Sequence, residues 1–208
     1  MAALFLLISP APSPSPSPLP QQQGPALRAL LIGSDTFLSR ENTYPIAQNN
    51  LSMLEHALEK DIRGYKAIHT YHDEIGHPAA LERAIESAFS HVEEDDISLL
   101  YFSSHGIDPE NGKSGLYLSD GMEETILTPE QLYALTSSIP GKKIILLDAC
   151  NSGAFIGKGS ASLSVSHPFT GSDYLLITSA GASEASWQWQ GEGELASGSS
   201  YFTAMLAT

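Results

Sequence analysis

The chain has 208 residues, enough for one domain with a substantial core, and its hydrophobic (42%) and charged (16%) fractions are ordinary for a soluble globular protein. Its 24 acidic and 10 basic residues give a formal net charge of −14, which argues against a nucleic-acid partner and is compatible with basic peptides or divalent cations. The single cysteine, Cys150, excludes an internal disulfide framework and is compatible with a reducing compartment.

The first 26 residues differ in composition from the rest of the chain. An apolar run, MAALFLLISP, precedes PSPSPSPLPQQQ, which is typical of a disordered, polyproline-like linker. The apolar run resembles part of a secretory signal, but it lacks a basic start and is too short to span a bilayer. We predict a disordered leader over residues 1–26, one domain over residues 27–208, and no membrane span. A cytoplasmic location is favoured, with a weak secretory signal as the alternative.

From residue 27 onward, short apolar segments alternate with amphipathic ones. The strand-like segments are LRALLIG, KAIHTYHDEI, ISLLYF, KKIILL and DYLLIT. Two segments between them have apolar residues at helical spacing: Leu51, Leu54, Leu58 and Ile62 in one, and Leu81, Ile85, Ala88, Phe89 and Val92 in the other. A third predicted helix, TPEQLYALTSSI, has Thr128 as its N-cap and Pro129 at its first position. This alternation predicts an α/β fold with a mostly parallel sheet covered on both faces.

Two reactive side chains directly follow two of the predicted strands. ISLLYF leads into Ser103-Ser104-His105-Gly106, and KKIILL leads into Asp148-Ala149-Cys150-Asn151-Ser152-Gly153. Because binding sites form at the carboxyl ends of parallel strands, we expect His105 and Cys150 to lie on one rim of the sheet. A neighbouring imidazole activates a thiol as a nucleophile and later protonates a leaving amine. The backbone N–H groups of Gly106 and Cys150 are candidates for an oxyanion hole.

The SHG and DACNSG motifs together resemble those of the caspase-like cysteine peptidases, especially the metacaspase branch and its bacterial relatives. The similarity extends to LLIGSDTF, NTYPIAQNNLSMLEHAL, YLLITSAGASEASW and GSSYFTAMLA. It implies a caspase-like three-layer α/β/α sandwich and a cysteine endopeptidase, with Cys150 as the nucleophile, His105 as the catalytic histidine, and Gly106 and Cys150 forming the oxyanion hole. The sequence stops inside a predicted helix where the family fold usually continues with another strand, so we expect a fragment or a minimal domain.

The resemblance also implies a substrate preference. Asp148 matches the acidic residue of the metacaspase-like pocket that takes arginine or lysine, whereas animal caspases, which cleave after aspartate, have glutamine at this position. A partly desolvated carboxylate pairs well with a guanidinium or ammonium group. Ser103 and Glu130 are candidate neighbours in the same pocket, and Ser186 and Trp187 are candidate walls of the substrate groove. The expected partner is a peptide or protein with a basic residue before the cleaved bond.

Two residues depart from the family pattern. Ser104 precedes the histidine where glycine is common, and Asn151 follows the cysteine where histidine is common. Neither position supplies the nucleophile or the base, so we expect both substitutions to be tolerated.

Simpler interpretations of the same residues remain open. Cys150 alone suits a small buried apolar residue, His105 a structural histidine, and Asp148 a cap of the turn that follows it. A non-catalytic caspase-like scaffold is therefore the alternative function. A flavodoxin-like nucleotide binder is less favoured, because Gly33-Ser34-Asp35 lacks a full phosphate-loop pattern.

We predict that no cofactor is required. His69, His72, Asp73 and Glu74 could suggest a metal, but a strand end running into a polar loop is the favoured interpretation. The acidic segments at 92–96 and 120–125 are predicted to be solvated loops. Some metacaspases need calcium, so calcium is a candidate activator, although no calcium-loop spacing is present.

Overall fold

A computed structural model describes residues 24–41, 45–107, 114–157, 167–189 and 198–208. The predicted leader over residues 1–26 lies almost wholly outside this part of the chain. Nine strands, four α-helices and one 3-10 helix (Ser152–Ile156) make up the described structure. The strands are β1 (Leu27–Gly33), β2 (Tyr65–His72), β3 (Ile97–Ser103), β4 (Leu116–Ser119), β5 (Glu124–Leu127), β6 (Lys142–Asp148), β7 (Tyr174–Thr178), β8 (Gln188–Trp189) and β9 (Ser199–Ser200), and the helices are α1 (Ile46–Glu59), α2 (Pro78–Phe89), α3 (Pro129–Thr136) and α4 (Tyr201–Leu206).

Five of the strands form one parallel sheet in the order β2-β1-β3-β6-β7. β3 and β6, the two strands that precede the reactive residues, are direct neighbours, and Ser103 at the end of one pairs with Asp148 at the end of the other. Helix α3 lies between these strands in the chain, as the predicted crossover requires. The parallel sheet and the adjacency of its two functional strands are therefore confirmed.

Alternate side chains of the sheet enter two separate cores, which is the expected outcome for strands covered on both faces. Leu30, Leu100 and Ile145 pack on one face with residues of α2 and α3. Leu31, Tyr101 and Leu146 pack on the opposite face, with residues of α1 and with Phe202 of α4. The molecule is thus a three-layer α/β/α sandwich.

The predicted helices are present, with one error at the end of the first. Leu51, Leu54 and Leu58 are buried as predicted, but Ile62 is fully exposed. Helix α1 ends at Glu59, and the chain then turns through hydrogen bonds that bring Gly64 back toward Asp61. Ile62 continues the apolar spacing in the sequence but lies beyond the helix. The predicted start of α3 is confirmed: Thr128 caps it, and its side chain accepts a hydrogen bond from the Gln131 N–H.

Two antiparallel pairs of strands were not predicted. β4 and β5 form a hairpin beside the sheet, so the predicted loop at 120–125 is only partly a loop. The Asp120 side chain accepts hydrogen bonds from the N–H groups of Met122 and Glu123 and closes the turn. β8 and β9 form a second, very short pair. Among the described residues, no helix is long and apolar enough to cross a membrane.

Candidate active site

The carboxyl ends of β3 and β6 bring the two reactive side chains to one cavity. The Ser104 N–H donates to the Asp148 carbonyl oxygen at 3.3 Å, so the two chains remain joined as they leave the sheet. His105 and the half-buried Cys150 both line a cavity of about 440 Å³ at this edge. We call it the strand-end cavity. Cys150 is thus not an inaccessible core residue.

Gly106 brings the backbone after β3 unusually close to the nucleophile candidate. A Cβ atom at this position would lie 1.6 Å from the Cys150 carbonyl oxygen, so any other residue would force the two segments apart. Neither the Gly106 N–H nor the Cys150 N–H donates a hydrogen bond to another described residue. Two backbone donors next to a thiol are the components of an oxyanion hole.

The residues after Cys150 fix the turn that holds it. Asn151 has a left-handed backbone (φ 57°), which asparagine tolerates better than most residues. Its N–H donates to the Glu184 carbonyl at 2.8 Å and its side-chain amide to the Ala182 carbonyl at 3.0 Å. Gly153 lies so close to the loop at Gly181 that a Cβ would meet backbone atoms at 2.6 to 2.8 Å. The Asn-Ser-Gly exit of the motif therefore has a structural reason at each of these two positions.

Asp148 points to the face of the sheet that carries α1 and α4, as Leu146 does two residues earlier. It is buried, and its carboxylate does not cap the turn that follows it. Instead it accepts hydrogen bonds from one amide and four hydroxyl groups: Asn50 (3.3 Å), Tyr101 (3.2 Å), Ser186 (3.0 Å), Thr203 (2.7 Å) and Ser200. Burial, followed by the nearby Asp148 charge, raises the pKa of Tyr101 well above its ordinary value, so Tyr101 is present as a neutral donor.

Asn50 connects this carboxylate to the rest of the cavity, and sequence reasoning missed it. Its amide nitrogen also donates to the Ser103 hydroxyl at 2.9 Å. Its carbonyl oxygen accepts from the Ser199 hydroxyl at 2.6 Å and the Ser200 N–H at 3.0 Å. The sequence does contain a sign of this role, because Asn50 is a polar residue next to Leu51 on the apolar face of α1. A buried amide must be hydrogen-bonded, so a polar residue at such a position indicates specific partners.

The strand-end cavity is electrically negative. Its lining includes Asp35, Glu41 and Asp148 but neither lysine nor arginine among the described residues. Asp148 is 4% exposed and forms no salt bridge within the described structure. A buried carboxylate held only by neutral donors retains its attraction for a cation, which a guanidinium or ammonium group entering the cavity would satisfy.

The residues predicted to line the pocket do not all lie on the same face of the sheet. Ser103 and Ser186 line the strand-end cavity with Asp148, and Trp187 lines it with three quarters of its surface exposed. Glu130 does not belong to the described lining, and its placement in the pocket was wrong. It lies exposed in the first turn of α3, and α3 packs with α2 on the face opposite to the one that Asp148 enters.

His105 lies at the exposed rim of the cavity, with the ring of Phe37 against it at 4.7 Å between centroids. Partial burial of the imidazole, and then the positive charge of Arg40, lower the pKa of His105. A lowered pKa leaves the ring neutral at physiological pH, and a neutral imidazole is able to accept a proton from a thiol.

The two histidines of β2, His69 and His72, are not grouped with Asp73 and Glu74 as a metal site. His72 Nε2 lies 2.9 Å from the carboxylate of Asp35, which also accepts the Ala47 and Gln48 N–H groups at the start of α1. Asp73 accepts hydrogen bonds from the Asp35 and Thr36 N–H groups. Across the described residues, no three or more histidine, cysteine or acidic side chains are grouped so as to hold a metal.

Comparisons with known proteins give the family and a similar fold. The family model of the caspase domain, Peptidase_C14, matches residues 26–208, and the chain belongs to this family of cysteine peptidases. The crystal structure of caspase-1 from Spodoptera frugiperda is similar in fold, with a TM-score of 0.56 and 17% identity over 97% of this chain and 75% of that one. A weaker similarity, with a TM-score of 0.45 and 21% identity, links 62% of the chain to 52% of protein GSU0716 from Geobacter sulfurreducens. A search of curated proteins found no match.

Proposed function

We propose that the protein is a cysteine endopeptidase that cleaves peptide bonds after arginine or lysine, as in the metacaspase branch of the family. One observation carries this proposal: a thiol, an imidazole and a buried carboxylate without a cation partner line the same cavity in the described structure. The first two groups suit nucleophilic catalysis, and the third suits a basic side chain.

The proposed reaction uses the groups at the ends of β3 and β6. His105 accepts the proton of the Cys150 thiol as the sulfur attacks the scissile carbonyl carbon. The oxyanion that forms is stabilised by the N–H groups of Gly106 and Cys150. The imidazolium then protonates the leaving amine, the C–N bond breaks, and an acyl-thioester remains. Water, deprotonated by His105, hydrolyses the thioester and restores the thiol.

The substrate preference follows from the charge of the strand-end cavity. A basic side chain that reaches Asp148 adds a charge-assisted hydrogen bond to those from its neutral donors, and Ser186 and Ser103 provide further acceptors for an arginine. An aspartate in the same place would face an unpaired buried carboxylate at close range, which low local polarity makes costly. We therefore expect peptides ending in arginine or lysine to be cleaved and peptides ending in aspartate to be resisted.

A non-catalytic scaffold is the second candidate function. What opposes it is that both Cys150 and His105 are present and reach the same cavity, whereas a degenerate relative typically loses one of them. The reaction as proposed needs no cofactor. Calcium, the candidate activator, is tested by carrying out the same assay with added calcium and with a chelator.

The test is hydrolysis of fluorogenic peptides that end in arginine, lysine or aspartate. We expect turnover of the first two only. Cys150→Ala and His105→Gln should each lose at least about 10³-fold in kcat/KM, since each removes one half of the nucleophile-base pair. Undiminished turnover in Cys150→Ala would overturn the proposal, and a complete lack of turnover with all peptides would favour the scaffold.

The role of Asp148 is tested with its uncharged isostere. Asp148→Asn should reduce kcat/KM for arginine peptides by about 10²-fold or more, because it removes the charge while keeping the volume. Asp95→Asn is the matched control. Asp95 is exposed and does not line the strand-end cavity, so its loss of charge should leave kcat/KM unchanged. An unaltered preference for arginine in a folded Asp148→Asn protein would exclude Asp148 as the selecting group.

A further inference from the structure

The loop between β1 and α1 covers one side of the His105 imidazole. Phe37 is 6% exposed, and its ring meets the imidazole at an interplanar angle of 54°. The same ring contacts Tyr117 of β4 edge-on, at 6.3 Å between centroids. Tyr117 is itself tied to the turn after β3, because its N–H donates to the His105 carbonyl and its carbonyl accepts from the Ser104 hydroxyl. The imidazole therefore has a fixed aromatic wall beside it.

Arg40 adds a positive charge to this wall. Its guanidinium carbon lies 4.3 Å from the centroid of Tyr117 and 5.9 Å from that of Phe37. Its Nε is buried and has no hydrogen-bond partner among the described residues. Contact with aromatic faces, and not an ion pair within the described structure, thus holds the guanidinium in place. An unpaired charge of this kind acts on whatever ionisable group lies nearest.

Carboxylates hold the backbone of this loop on both sides of Phe37. Asp73 accepts the N–H groups of Asp35 and Thr36 at 2.7 and 3.1 Å. Glu124 accepts the N–H groups of Leu38 and Ser39 at 2.7 and 3.3 Å. Phe37 lies between these two sets of hydrogen bonds, so Asp73, directly after β2, and Glu124 of β5 hold the backbone on either side of it.

The imidazole itself has no polar group to orient it in the described structure. Its ring nitrogens make no hydrogen bond with another described residue, whereas in a catalytic triad a third polar group holds the base. The aromatic wall is the structure that contacts the ring instead.

We propose that Phe37 and Arg40 position His105 for catalysis: Phe37 fixes the orientation of the imidazole, and Arg40, held over the rings of Tyr117 and Phe37, places a positive charge beside it. This inference rests on the proposed peptidase activity and adds two positioning residues to it. The ionisable groups that face the ring or the cavity come from the covering loop, from β5 and from the end of β6: Asp35, Arg40, Glu41, Glu124, Asp148 and Cys150.

These charges act in opposite directions on the imidazole. Partial burial has the largest effect on the pKa of His105 and lowers it, and Arg40 lowers it further. Asp35 and Glu124 raise it. Loss of the Arg40 charge therefore leaves burial alone to oppose the two carboxylates, and the protonated form of the ring becomes more stable.

An NMR titration of the His105 ring tests the charge effect without any need for activity. In Cys150→Ala protein, with the His105 signal assigned by its loss in His105→Gln, we expect the midpoint to move to higher pH in Arg40→Met. Arg40→Lys, which keeps the charge, should stay close to the parent. Arg83→Met, which removes an exposed positive charge on α2, is the matched control and should not change the midpoint. An unchanged midpoint in Arg40→Met would overturn the role of Arg40.

Kinetics of the active protein test the consequence. In Arg40→Met we expect kcat/KM for an arginine peptide to fall about threefold at about pH 6 and to be unchanged at about pH 8, since the base must be unprotonated. Phe37→Leu should lower kcat about tenfold with KM within about twofold, because orientation is lost but binding is not. Phe37→Tyr keeps an aromatic ring at this position and should therefore keep kcat close to the wild-type value. An equal kcat in folded Phe37→Leu would overturn the role of Phe37.

The two experiments separate this inference from the proposed function. A shifted midpoint in a protein that hydrolyses no peptide supports the effect of the Arg40 charge on the ring but overturns the peptidase, and with it a role in catalysis. Hydrolysis by the wild type, with neither the midpoint nor the acidic limb of the pH profile moved in Arg40→Met, overturns the inference alone. If Phe37→Leu fails to fold, the Arg40 titration decides.

Discussion

At the scale of single residues, Gly106 is the most constrained position near the thiol. The backbone after β3 passes within contact distance of the Cys150 carbonyl, and only a residue without a side chain fits. The position is therefore held by the geometry of the nucleophile turn, independently of any freedom that glycine has in φ.

We expect Gly106→Ala to lose at least about 10²-fold in kcat/KM, because the added methyl group must move the turn and with it a candidate oxyanion donor. The measurement is turnover of an arginine peptide, combined with a thermal melt. Gly24→Ala is the control, since a Cβ there meets no atom within 4 Å. Wild-type kcat/KM in Gly106→Ala would show that the turn adapts and that its N–H is not required.

The sequence predicts that His105, Asp148 and Cys150 share one rim of the sheet, but it misses the residues that surround them. Cys150, His105 and Asp148 follow apolar strands, so parallel strand ends place them on one rim. Asn50, Phe37 and Arg40 belong to α1 and the loop before it, and their contacts depend on how the loop folds over the sheet. Glu130 was misplaced for a related reason, because the face to which a helix packs is not encoded in its own spacing.

At the scale of elements, helix α3 is the best example of local encoding. Thr128 and Gln131 form a reciprocal cap at its start, with hydrogen bonds of 3.3 and 2.9 Å, and Pro129 follows at the first helical position. Helix α3 packs on the face of the sheet away from Asp148. A change in the stability of this helix should therefore leave the candidate active site unaltered.

We therefore expect Thr128→Ala to lower the free energy of unfolding by about 1 kcal/mol, since it removes the cap hydrogen bond. The measurement is urea denaturation at constant pH. Ser137→Ala at the other end of the helix should change the free energy of unfolding by less than about 0.5 kcal/mol. A kcat/KM that falls in Thr128→Ala would contradict the separation of α3 from the site.

Strands with long apolar runs and helices with clear apolar periodicity were predictable, whereas the short antiparallel strand pairs were not. Four of the five sheet strands, β1, β3, β6 and β7, carry apolar runs, which identify buried parallel strands, whereas β2 is more polar and only partly buried. The β4–β5 hairpin has only four residues in each strand and was interpreted as a loop because its turn is acidic. Ile62 kept the helical spacing beyond the real end of α1, since periodicity alone does not mark where hydrogen bonding stops.

At the scale of the whole molecule, the two ends of the sheet serve different purposes. At the amino ends of the strands, the buried carboxylate of Asp96 pairs with Arg28 at 2.9 Å and accepts the Ala26 and Glu93 N–H groups. At the carboxyl ends, Asp148 is also buried but has no cation within the described structure. The Asp96 carboxylate is therefore neutralised within the fold, whereas that of Asp148 is the one to which we assign the basic side chain of a substrate.

We expect the fold to lose stability in acid as carboxylates such as that of Asp96 become protonated. Burial alone would raise the pKa of Asp96, but hydrogen bonds from Glu93, Ala26 and Arg28 outweigh it and lower the pKa. A lowered folded-state pKa gives stability that is present above the unfolded pKa of about 4 and is lost as pH falls through the folded value. We expect the free energy of unfolding to decrease steadily below about pH 4.

Asp96→Asn tests this assignment. It should cost about 1 to 3 kcal/mol near neutral pH and flatten the acid dependence, because the amide keeps fewer of the three hydrogen bonds. The measurement is urea denaturation between about pH 2 and pH 7, with exposed Asp95→Asn as the control. Acid curves of wild type and Asp96→Asn that differ by a constant amount at every pH would contradict the linkage.

The most direct test of the central claim is covalent labelling of the only thiol. We expect a peptidyl chloromethyl ketone that ends in arginine to add one equivalent to Cys150, as detected by intact mass and peptide mapping. The matching reagent that ends in aspartate should react at least about tenfold more slowly, as should the arginine reagent with His105→Gln protein. Equal labelling rates with the arginine and aspartate reagents would contradict an acidic pocket beside the thiol. Equal rates in the wild type and in His105→Gln would contradict activation of the thiol by His105.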